Sequence, residues 1–259
     1  MNVIEALQKE IQSTLVVVMA GGEGKRMGYT GTPKPLIPIS GVSLLDRCIT
    51  FLASNGFKRF VILTRQDKVV EHVSGTDYKV ELKVCRDPQV PKVGKGKALA
   101  YALRTGCLNP EERILIAFPD DIFTDESLPL RFIASHVEAV KRLGVWASVA
   151  VVAALQLPYG VVELDPTGLA TKFEEKPRLS IYASTGLYIF EPPALRLLAE
   201  KVDLDSPHSI EFENTLLPLL AKERKLHALI IPEGVWIPVN TLKELEEAEK
   251  LLNKEIRKG

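Results

Sequence analysis

Leu15-Val16-Val17-Val18-Met19-Ala20-Gly21-Gly22 is the stretch that decides the fold, because an unbroken apolar run ends there in two glycines. A strand that is apolar on both faces is typical of the centre of a parallel sheet, where helices cover both sides. Further apolar runs follow it at residues 60–63, 80–84 and 114–118. Helix-like stretches separate these runs, at about 44–55, 66–74 and 96–106. The alternation predicts right-handed βαβ units and a doubly wound, mostly parallel α/β sheet.

The second part of the chain has a different rhythm. After a predicted helix over 127–142, the sequence has a strand-like stretch over 146–154. Short strands then follow in quick succession, at 159–164, 169–174 and 182–190. We expect these to form a smaller mixed β sheet laid against the first. No linker separates independent domains, so we predict one domain over 1–259, with halves of about 1–143 and about 144–259.

The balance of charges indicates which classes of partner to exclude, and the cysteines indicate the redox state of the compartment. Lysine plus arginine and aspartate plus glutamate both number 33, which argues against nucleic acid and membrane surfaces as partners. The apolar run over 145–155 is too short to span a membrane, and the amino terminus does not read as a signal peptide. Cys48, Cys85 and Cys107 lack CxxC or Cys/His spacing, so we expect small, buried, reduced residues. A cytoplasmic location is the expectation.

The loop after the first strand, Gly21-Gly22-Glu23-Gly24-Lys25-Arg26, combines three glycines with two cations. Glycines let the backbone approach a ligand closely and turn its N–H groups toward phosphate oxygens. A dinucleotide-binding GxGxxG motif would need glycine or alanine at Met27, and a P-loop ending at Gly96 would need glycine at Pro91. The loop therefore predicts a phosphate site at the carboxyl ends of the strands that is neither a dinucleotide-binding loop nor a P-loop. A tight turn with solvated charges is the alternative for this loop alone.

The next segment, Thr32-Pro33-Lys34-Pro35, favours the phosphate interpretation, because prolines on both sides restrict the backbone and hold Lys34 in place. Together the two segments resemble those of the sugar-1-phosphate nucleotidylyltransferases, the nucleotide-diphospho-sugar pyrophosphorylases, and above all the glucose-1-phosphate thymidylyl- and uridylyltransferases. The likeness extends over about residues 15–250. It implies the Rossmann-like fold of that family. The nucleotide phosphates would lie in the glycine loop, against Gly21, Gly22, Gly24 and Lys25, and Arg26 and Lys34 would neutralise charge during transfer.

Two later segments resemble the base-contacting and metal-binding parts of that family. Gly94-Lys95-Gly96-Lys97 is similar to the loop that contacts the nucleobase, which implies nucleotide contacts for Gly94 and Gly96. An ordinary helix start is the alternative. Phe118-Pro119-Asp120-Asp121 matches a GDN-like segment at the end of a buried strand, which implies that Asp120 binds Mg²⁺. Asp121 is expected to be a cap for the next element of the chain.

Three segments of the second half resemble the sugar side of the family's site. Tyr159-Gly160-Val161-Val162-Glu163 and Glu174-Glu175-Lys176-Pro177 are similar to its YGVVE and EEKP signatures. The resemblance implies that Gly160 and Glu175 contact sugar hydroxyls and that Lys176 binds the sugar phosphate. Ser184-Thr185-Gly186 matches a stretch that passes close to the sugar, with Thr185 as the expected contact.

The chain departs from the family at a second metal ligand. Many relatives carry W-x-D-x-[GN]-T, whereas Trp236-Ile237-Pro238-Val239-Asn240-Thr241 has a proline in place of the aspartate. Asn240 aligns instead with an asparagine that binds metal in N-acetylglucosamine-1-phosphate uridylyltransferases. A neutral carbonyl oxygen can coordinate Mg²⁺. The alternative is that Asn240 only caps the helix that begins at about Thr241.

The resemblance implies an enzyme that makes an NDP-sugar and pyrophosphate from an NTP and a sugar-1-phosphate, with glucose-1-phosphate as the first expectation. Its substrates would be its main partners, Mg²⁺ its cofactor, and a homo-oligomer is left open. One alternative is a nucleotidylyltransferase for a non-sugar phosphate, such as a cofactor precursor. Another is a non-catalytic regulatory subunit that binds an NDP-sugar. The sequence leaves the nucleobase and the sugar undecided. We expect the choice of base to depend on backbone contacts near residues 86–97, and the choice of sugar on the shape of the pocket.

Overall fold

The computed structural model describes residues 2–22, 31–90 and 92–256 of the chain. Fifteen strands lie in these ranges: β1 (Leu15–Met19), β2 (Pro38–Ile39), β3 (Val42–Ser43), β4 (Arg59–Thr64), β5 (Glu81–Arg86), β6 (Ile114–Ala117), β7 (Asp121–Phe123), β8 (Ala147–Val152), β9 (Leu155–Gln156), β10 (Val161–Leu164), β11 (Ala170–Glu174), β12 (Arg178–Leu179), β13 (Ala183–Phe190), β14 (Leu226–Ile231) and β15 (Trp236–Pro238). Nine α-helices accompany them in the same ranges: α1 (Val3–Ser13), α2 (Leu44–Ser54), α3 (Asp67–Gly75), α4 (Gly94–Arg104), α5 (Leu128–Leu143), α6 (Pro192–Lys201), α7 (Phe212–Thr215), α8 (Leu217–Lys222) and α9 (Leu242–Ile256). One 3-10 turn covers Lys34–Leu36.

Seven of these strands form the main sheet, in the order β14-β8-β13-β6-β1-β4-β5. β1 pairs in parallel with β4 and β6, β4 with β5, and β8 with β14. Helices α2 and α3 make the crossovers from β1 to β4 and from β4 to β5. The prediction of a doubly wound, mostly parallel α/β sheet is therefore confirmed.

The strand predicted over 182–190 lies in a different place from the one expected. β13 is inserted in the main sheet, antiparallel to β6 and β8, and does not join a separate smaller sheet. Leu187, Tyr188, Ile189 and Phe190 are all buried, so both faces of this strand need cover, and only the interior of the main sheet supplies it. The remaining strands of the described ranges form two-stranded antiparallel sheets: β10 with β11, β9 with β12, β7 with β15 and β2 with β3.

Alternate residues of β1 face two different layers of the core. Leu15, Val17 and Met19 pack with residues of α4, α6, α7 and α8. Val16 and Val18 pack with residues of α1, α2, α3 and α5 on the other side. The unbroken apolar run follows from burial on both faces, since successive side chains of a strand point in opposite directions. Among the described residues, no helix has both the length and the hydropathy that crossing a membrane requires.

The prediction that all three cysteines are reduced is wrong for two of them. Cys85, in β5, and Cys107, just after α4, form a disulfide with their Cα atoms 6.3 Å apart, a usual separation for this bond. Cys48 is free and buried, as expected. The spacing of 22 residues did not reveal the pair, because it is the return of α4 over the sheet that brings residue 107 back to β5.

Candidate active site

A cavity of about 420 Å³ lies at the carboxyl ends of the parallel strands. Loops that follow β1, β4, β5 and β6 line it, as expected for a ligand site in an open α/β sheet. Five of the residues predicted from the sequence are among its lining residues: Gly21, Gly22, Lys34, Gly94 and Asp120. The structure therefore brings together three segments that are widely separated in the chain.

Lys34 lies on the cavity wall within a 3-10 turn. Pro33 precedes this turn and Pro35 within it is buried, so the backbone on both sides of the lysine is fixed. The ammonium of Lys34 forms an ion pair with the carboxylate of Asp120, and 14% of the lysine side chain is exposed. It also donates to Oδ1 of Asn240 at 3.1 Å. One cation thus joins the loop after β1 to the ends of β6 and β15.

The side chain of Asn240 does not cap α9. Thr241 does so, because its hydroxyl oxygen accepts from the N–H of Glu244 at 3.2 Å. The carboxylate of Glu244 in turn accepts from the N–H groups of Thr241 and Asn240, at 2.9 and 2.7 Å. This reciprocal arrangement is a capping box. The side-chain carbonyl of Asn240 remains directed at Lys34.

Two side-chain oxygens therefore lie next to the same ammonium group. The carboxylate of Asp120 and the amide oxygen of Asn240 both contact the Lys34 ammonium. One or two protein oxygens, completed by phosphate oxygens, are the usual protein contribution to a Mg²⁺ site. In the described part of the chain, no group of three or more His, Cys, Asp or Glu side chains is placed to hold a metal. The Asp120–Asn240 pair fits the expected ion, and the assignment of these ligands stays a prediction.

Asp121 is not the cap that its position suggested. It begins β7, and its Oδ1 accepts from the indole N–H of Trp236 at 2.6 Å. Burial and the neighbouring charge of Asp120 raise the pKa of the Asp121 carboxyl to about 7. A methyl group on Gly186 would overlap Asp121 Oδ2, so only glycine leaves room for this carboxyl. Asp121 is partly buried and, unlike Asp120, is not among the residues that line this cavity.

The start of α4 packs against the backbone of residue 210. A Cβ on Gly94 would lie 2.5 Å from the carbonyl oxygen of Ile210, and Gly94 has a φ of +72°. The N–H of Gly96 donates to that same oxygen at 2.8 Å, so it is already used within the protein. Gly94 lines the cavity, and Gly96 is not among its lining residues. Close packing is therefore a sufficient reason for both glycines.

Four charged residues of the cavity wall were not predicted: Arg65, Asp87, Lys95 and Glu211. Lys95 forms an ion pair with Glu213 and lies 5.1 Å from the centre of the Phe118 ring. Arg65 and Asp87 directly follow β4 and β5. The rule that applied to Asp120, a polar residue at the carboxyl end of a buried parallel strand, could have found both.

None of the four residues expected to bind the sugar is among the described residues that line this cavity. Gly160, Glu175 and Lys176 are exposed, and Lys176 has a φ of +49°. Gly160 and Glu175 are neighbours, since a Cβ on Gly160 would lie 2.9 Å from Glu175 Oε2. Thr185 is buried, and its hydroxyl donates to the carbonyl of Ala150 at 2.9 Å. The structure thus brings Gly160 and Glu175 together and gives Thr185 a partner within the main sheet.

Three predicted residues lie outside the described ranges: Gly24, Lys25 and Arg26. Their assignment to the phosphates rests on the sequence alone.

Comparison with known proteins adds an independent observation. A family model described as nucleotidyl transferase matches residues 15–255 of this chain. The glucose-1-phosphate adenylyltransferase of Bacillus subtilis (strain 168) is 28% identical over a gapped alignment of 261 positions, and the alignment covers 93% of this chain and 67% of that protein. The mannose-1-phosphate guanylyltransferase 1 of Arabidopsis thaliana is 26% identical over a gapped alignment of 253 positions, which covers 93% of this chain and 65% of that protein. Among the curated relatives, the chain spans from 51% to 67% of the other protein's length.

A solved structure resembles the fold as well. It is a Bacillus anthracis protein that is named as a glucose-1-phosphate thymidylyltransferase and was crystallised with a sucrose. The TM-score is 0.68 at 21% sequence identity, and the match covers 92% of this chain and 95% of that one. This likeness supports the fold.

Proposed function

The chain belongs to the nucleotidyl transferase family, and from that membership we propose that it joins an NTP to a sugar-1-phosphate to give an NDP-sugar and pyrophosphate. The observation that carries the proposal is the convergence of Lys34, Asp120 and Asn240 at the wall of the cavity. A cation beside two oxygen ligands suits a site for phosphates and a divalent metal ion. Glucose-1-phosphate is the first candidate substrate.

The reaction needs no general base from the protein. The second pKa of a phosphate monoester is about 6, so the sugar phosphate is already a dianion at neutral pH. One of its oxygens forms a bond to the α-phosphorus of the NTP while the bond from that phosphorus to the bridging oxygen breaks. The electron pair leaves with pyrophosphate. The protein has to bring two polyanions together, align them and offset their repulsion.

The nucleotide side of the cavity supplies the positive charge. We assign Arg26 and Lys34 to the reacting phosphates, and the backbone of Gly21 and Gly22, continued by Gly24 and Lys25, to the rest of the nucleotide. Asp120 and Asn240 would hold Mg²⁺, which neutralises negative charge on the phosphate oxygens when it is bound. Lys34 must then exchange its contacts with these two residues for contacts with phosphate.

The sugar side is assigned to the second half of the chain. We propose that Gly160 and Glu175 contact sugar hydroxyls, that Lys176 contacts the sugar phosphate and that Thr185 lies beneath the sugar. The proximity of Gly160 to Glu175 supports a shared site for these two residues. On this assignment residues of about 1–143 bind the nucleotide and residues of about 144–259 bind the sugar. A cytoplasmic location and a homo-oligomer stay predictions.

The test is pyrophosphate release by the purified chain with Mg²⁺, over a panel of nucleoside triphosphates and sugar-1-phosphates. We expect release that depends on both substrates, together with an NDP-sugar product. Release that needs a non-sugar phosphate would assign the chain to a cofactor precursor. Binding of NDP-sugars with no turnover for any pair would make it a regulatory subunit. Either of the last two results overturns the proposal.

A further inference from the structure

The cavity is long enough to give a nucleotide a defined direction. Its lining residues run from Asp87, which follows the edge strand β5, to Asp120, which follows β6. Three strand-to-strand steps separate β5 from β6, and at roughly 4.8 Å each they span about 14 Å. Lys34, which contacts Asp120, is at the β6 end. If the phosphates lie at that end, as the proposed function requires, the nucleobase lies at the β5 end, next to Asp87.

Asp87 is an unusual residue to find at that end. Its backbone N–H donates to the carbonyl of Thr64 at 3.2 Å, which fixes its place beside β4. The residue is 6% exposed, and within the described part of the chain its buried Oδ1 has no hydrogen-bond partner. A Cβ on Gly21 would lie 2.6 Å from its Oδ2, so the glycine loop leaves space for this carboxyl.

Burial of this carboxyl is unfavourable. Desolvation raises the pKa of Asp87 to about 6, and the charge of Arg65 acts in the opposite direction. A buried acceptor without a donor is destabilising, whereas a ligand that brings N–H groups to it gains strong hydrogen bonds. Asp87 is among the residues that line the cavity, so a ligand held there is next to this carboxyl.

The chemistry of a carboxylate then selects among the bases. An ionised carboxylate only accepts hydrogen bonds. Guanine presents two adjacent N–H donors, at N1 and at its amino group. Adenine and cytosine present one amino group beside a ring nitrogen that accepts, and uracil and thymine place a single N–H between two carbonyl oxygens. We propose that Asp87 is the residue that selects the nucleobase and that it selects guanine. The assignment rests on the proposed function for the direction of the nucleotide.

Equilibrium binding tests this selection independently of turnover. Calorimetry with the full chain and Mg²⁺ at pH 8 would compare GDP, ADP, CDP and UDP. We expect GDP to bind at least about tenfold more tightly than UDP, because one mismatched buried polar contact has at least that effect. Asp87→Asn, whose amide both donates and accepts, should reduce the GDP/UDP ratio at least about tenfold. Asp67→Asn, at an 80% exposed carboxylate on α3, is the matched control and should keep the wild-type ratio.

The outcomes separate base selection from structural and catalytic roles. A purely structural Asp87 would weaken binding of all four nucleotides equally in the variant and leave the ratio unchanged, which overturns the proposal. Wild-type affinities within about threefold of one another would overturn it too. If Asp87→Asn does not fold, the wild-type GDP/UDP ratio is measured from pH 8 to pH 5, where protonation of the carboxyl should reduce it. Guanine preference in binding without pyrophosphate release would contradict the proposed function and leave the base selection standing.

Discussion

Asn240 Oδ1 accepts a hydrogen bond from the Lys34 ammonium at 3.1 Å, although 206 positions separate the two residues in the sequence. The carbonyl of Asn240 is therefore available to a cation. Asn240→Asp should lower the Mg²⁺ concentration that gives half-maximal activity about fivefold or more, because a charged oxygen binds Mg²⁺ more tightly than a neutral one. Asn240→Leu, which removes the oxygen, should raise it. The measurement is a Mg²⁺ titration of pyrophosphate release.

The control for that titration is Thr241→Ala, which removes the cap of α9 and leaves the Asn240 carbonyl in place. It should reduce the free energy of unfolding by about 1 kcal/mol and leave the Mg²⁺ requirement unchanged. Identical Mg²⁺ titrations for wild type, Asn240→Asp and Asn240→Leu would exclude Asn240 as a ligand.

Lys34→Ala should reduce kcat by about 10² or more, since a fixed positive charge near the reacting phosphates acts mainly on the transition state. The free energy of unfolding should change by only about 1 kcal/mol, because Asp120 borders the cavity and can be hydrated there. Lys243→Ala, at an 85% exposed lysine, is the matched control for both measurements. Unchanged kcat in Lys34→Ala would remove this lysine from the catalytic residues.

Gly186→Ala should destabilise the protein by about 2 kcal/mol or more. The added methyl group would overlap Asp121 Oδ2 and lie 2.9 Å from Phe118 Cδ2, and Trp236 holds the Asp121 carboxyl in place. Gly75→Ala, where a Cβ meets no atom within 4 Å, is the matched control and should change stability by less than about 1 kcal/mol. Thermal and denaturant unfolding of the two variants measure the difference. Equal stabilities would show that the carboxyl can move aside.

Asp87 should make stability fall as the pH rises from about 4 to about 6. Its pKa is about 6 in the folded chain, against 3.8 for an unperturbed carboxyl. Between these values the unfolded chain releases the proton first, so ionisation favours unfolding. The difference corresponds to about 3 kcal/mol at most, and it is fully expressed above the folded-state pKa. Asp87→Asn should therefore gain stability over wild type at pH 8 relative to pH 4, as measured by denaturant unfolding. Parallel pH profiles for the two proteins would contradict this prediction.

The Cys85–Cys107 bond should stabilise the fold by about 3 kcal/mol, the usual effect of closing a loop of this length. Thiol titration of the unreduced, denatured protein should find one free thiol, that of Cys48. A reductant should lower the melting temperature of wild type and have no effect on that of Cys107→Ser. Three free thiols before reduction would show that the bond does not form.

The sequence predicted the parts of the structure that local pattern determines. The apolar run of β1 and the strand–helix alternation predicted the sheet, and the rule about carboxyl ends of strands predicted that Lys34 and Asp120 would share a cavity with the glycine loop. The sequence did not predict that β13 lies between β6 and β8, because the pattern of β13 itself does not indicate which other strands and helices cover its two faces. The expectation for residues 86–97 concerned their backbone and did not include the Asp87 side chain, because an aspartate before a proline is typical of a turn. Its burial depends on contacts with Thr64 and Gly21, which are distant in the sequence.

The bond between β5 and the turn after α4 makes a covalent ring of the chain from residue 85 to residue 107. Asp87, Gly94 and Lys95, which all line the cavity, lie inside this ring. A protease that cuts the backbone once within it adds only a water molecule to the mass and releases no fragment until the bond is reduced. The severed ends remain tethered to the sheet, so a nicked molecule can still present this wall of the cavity to a nucleotide.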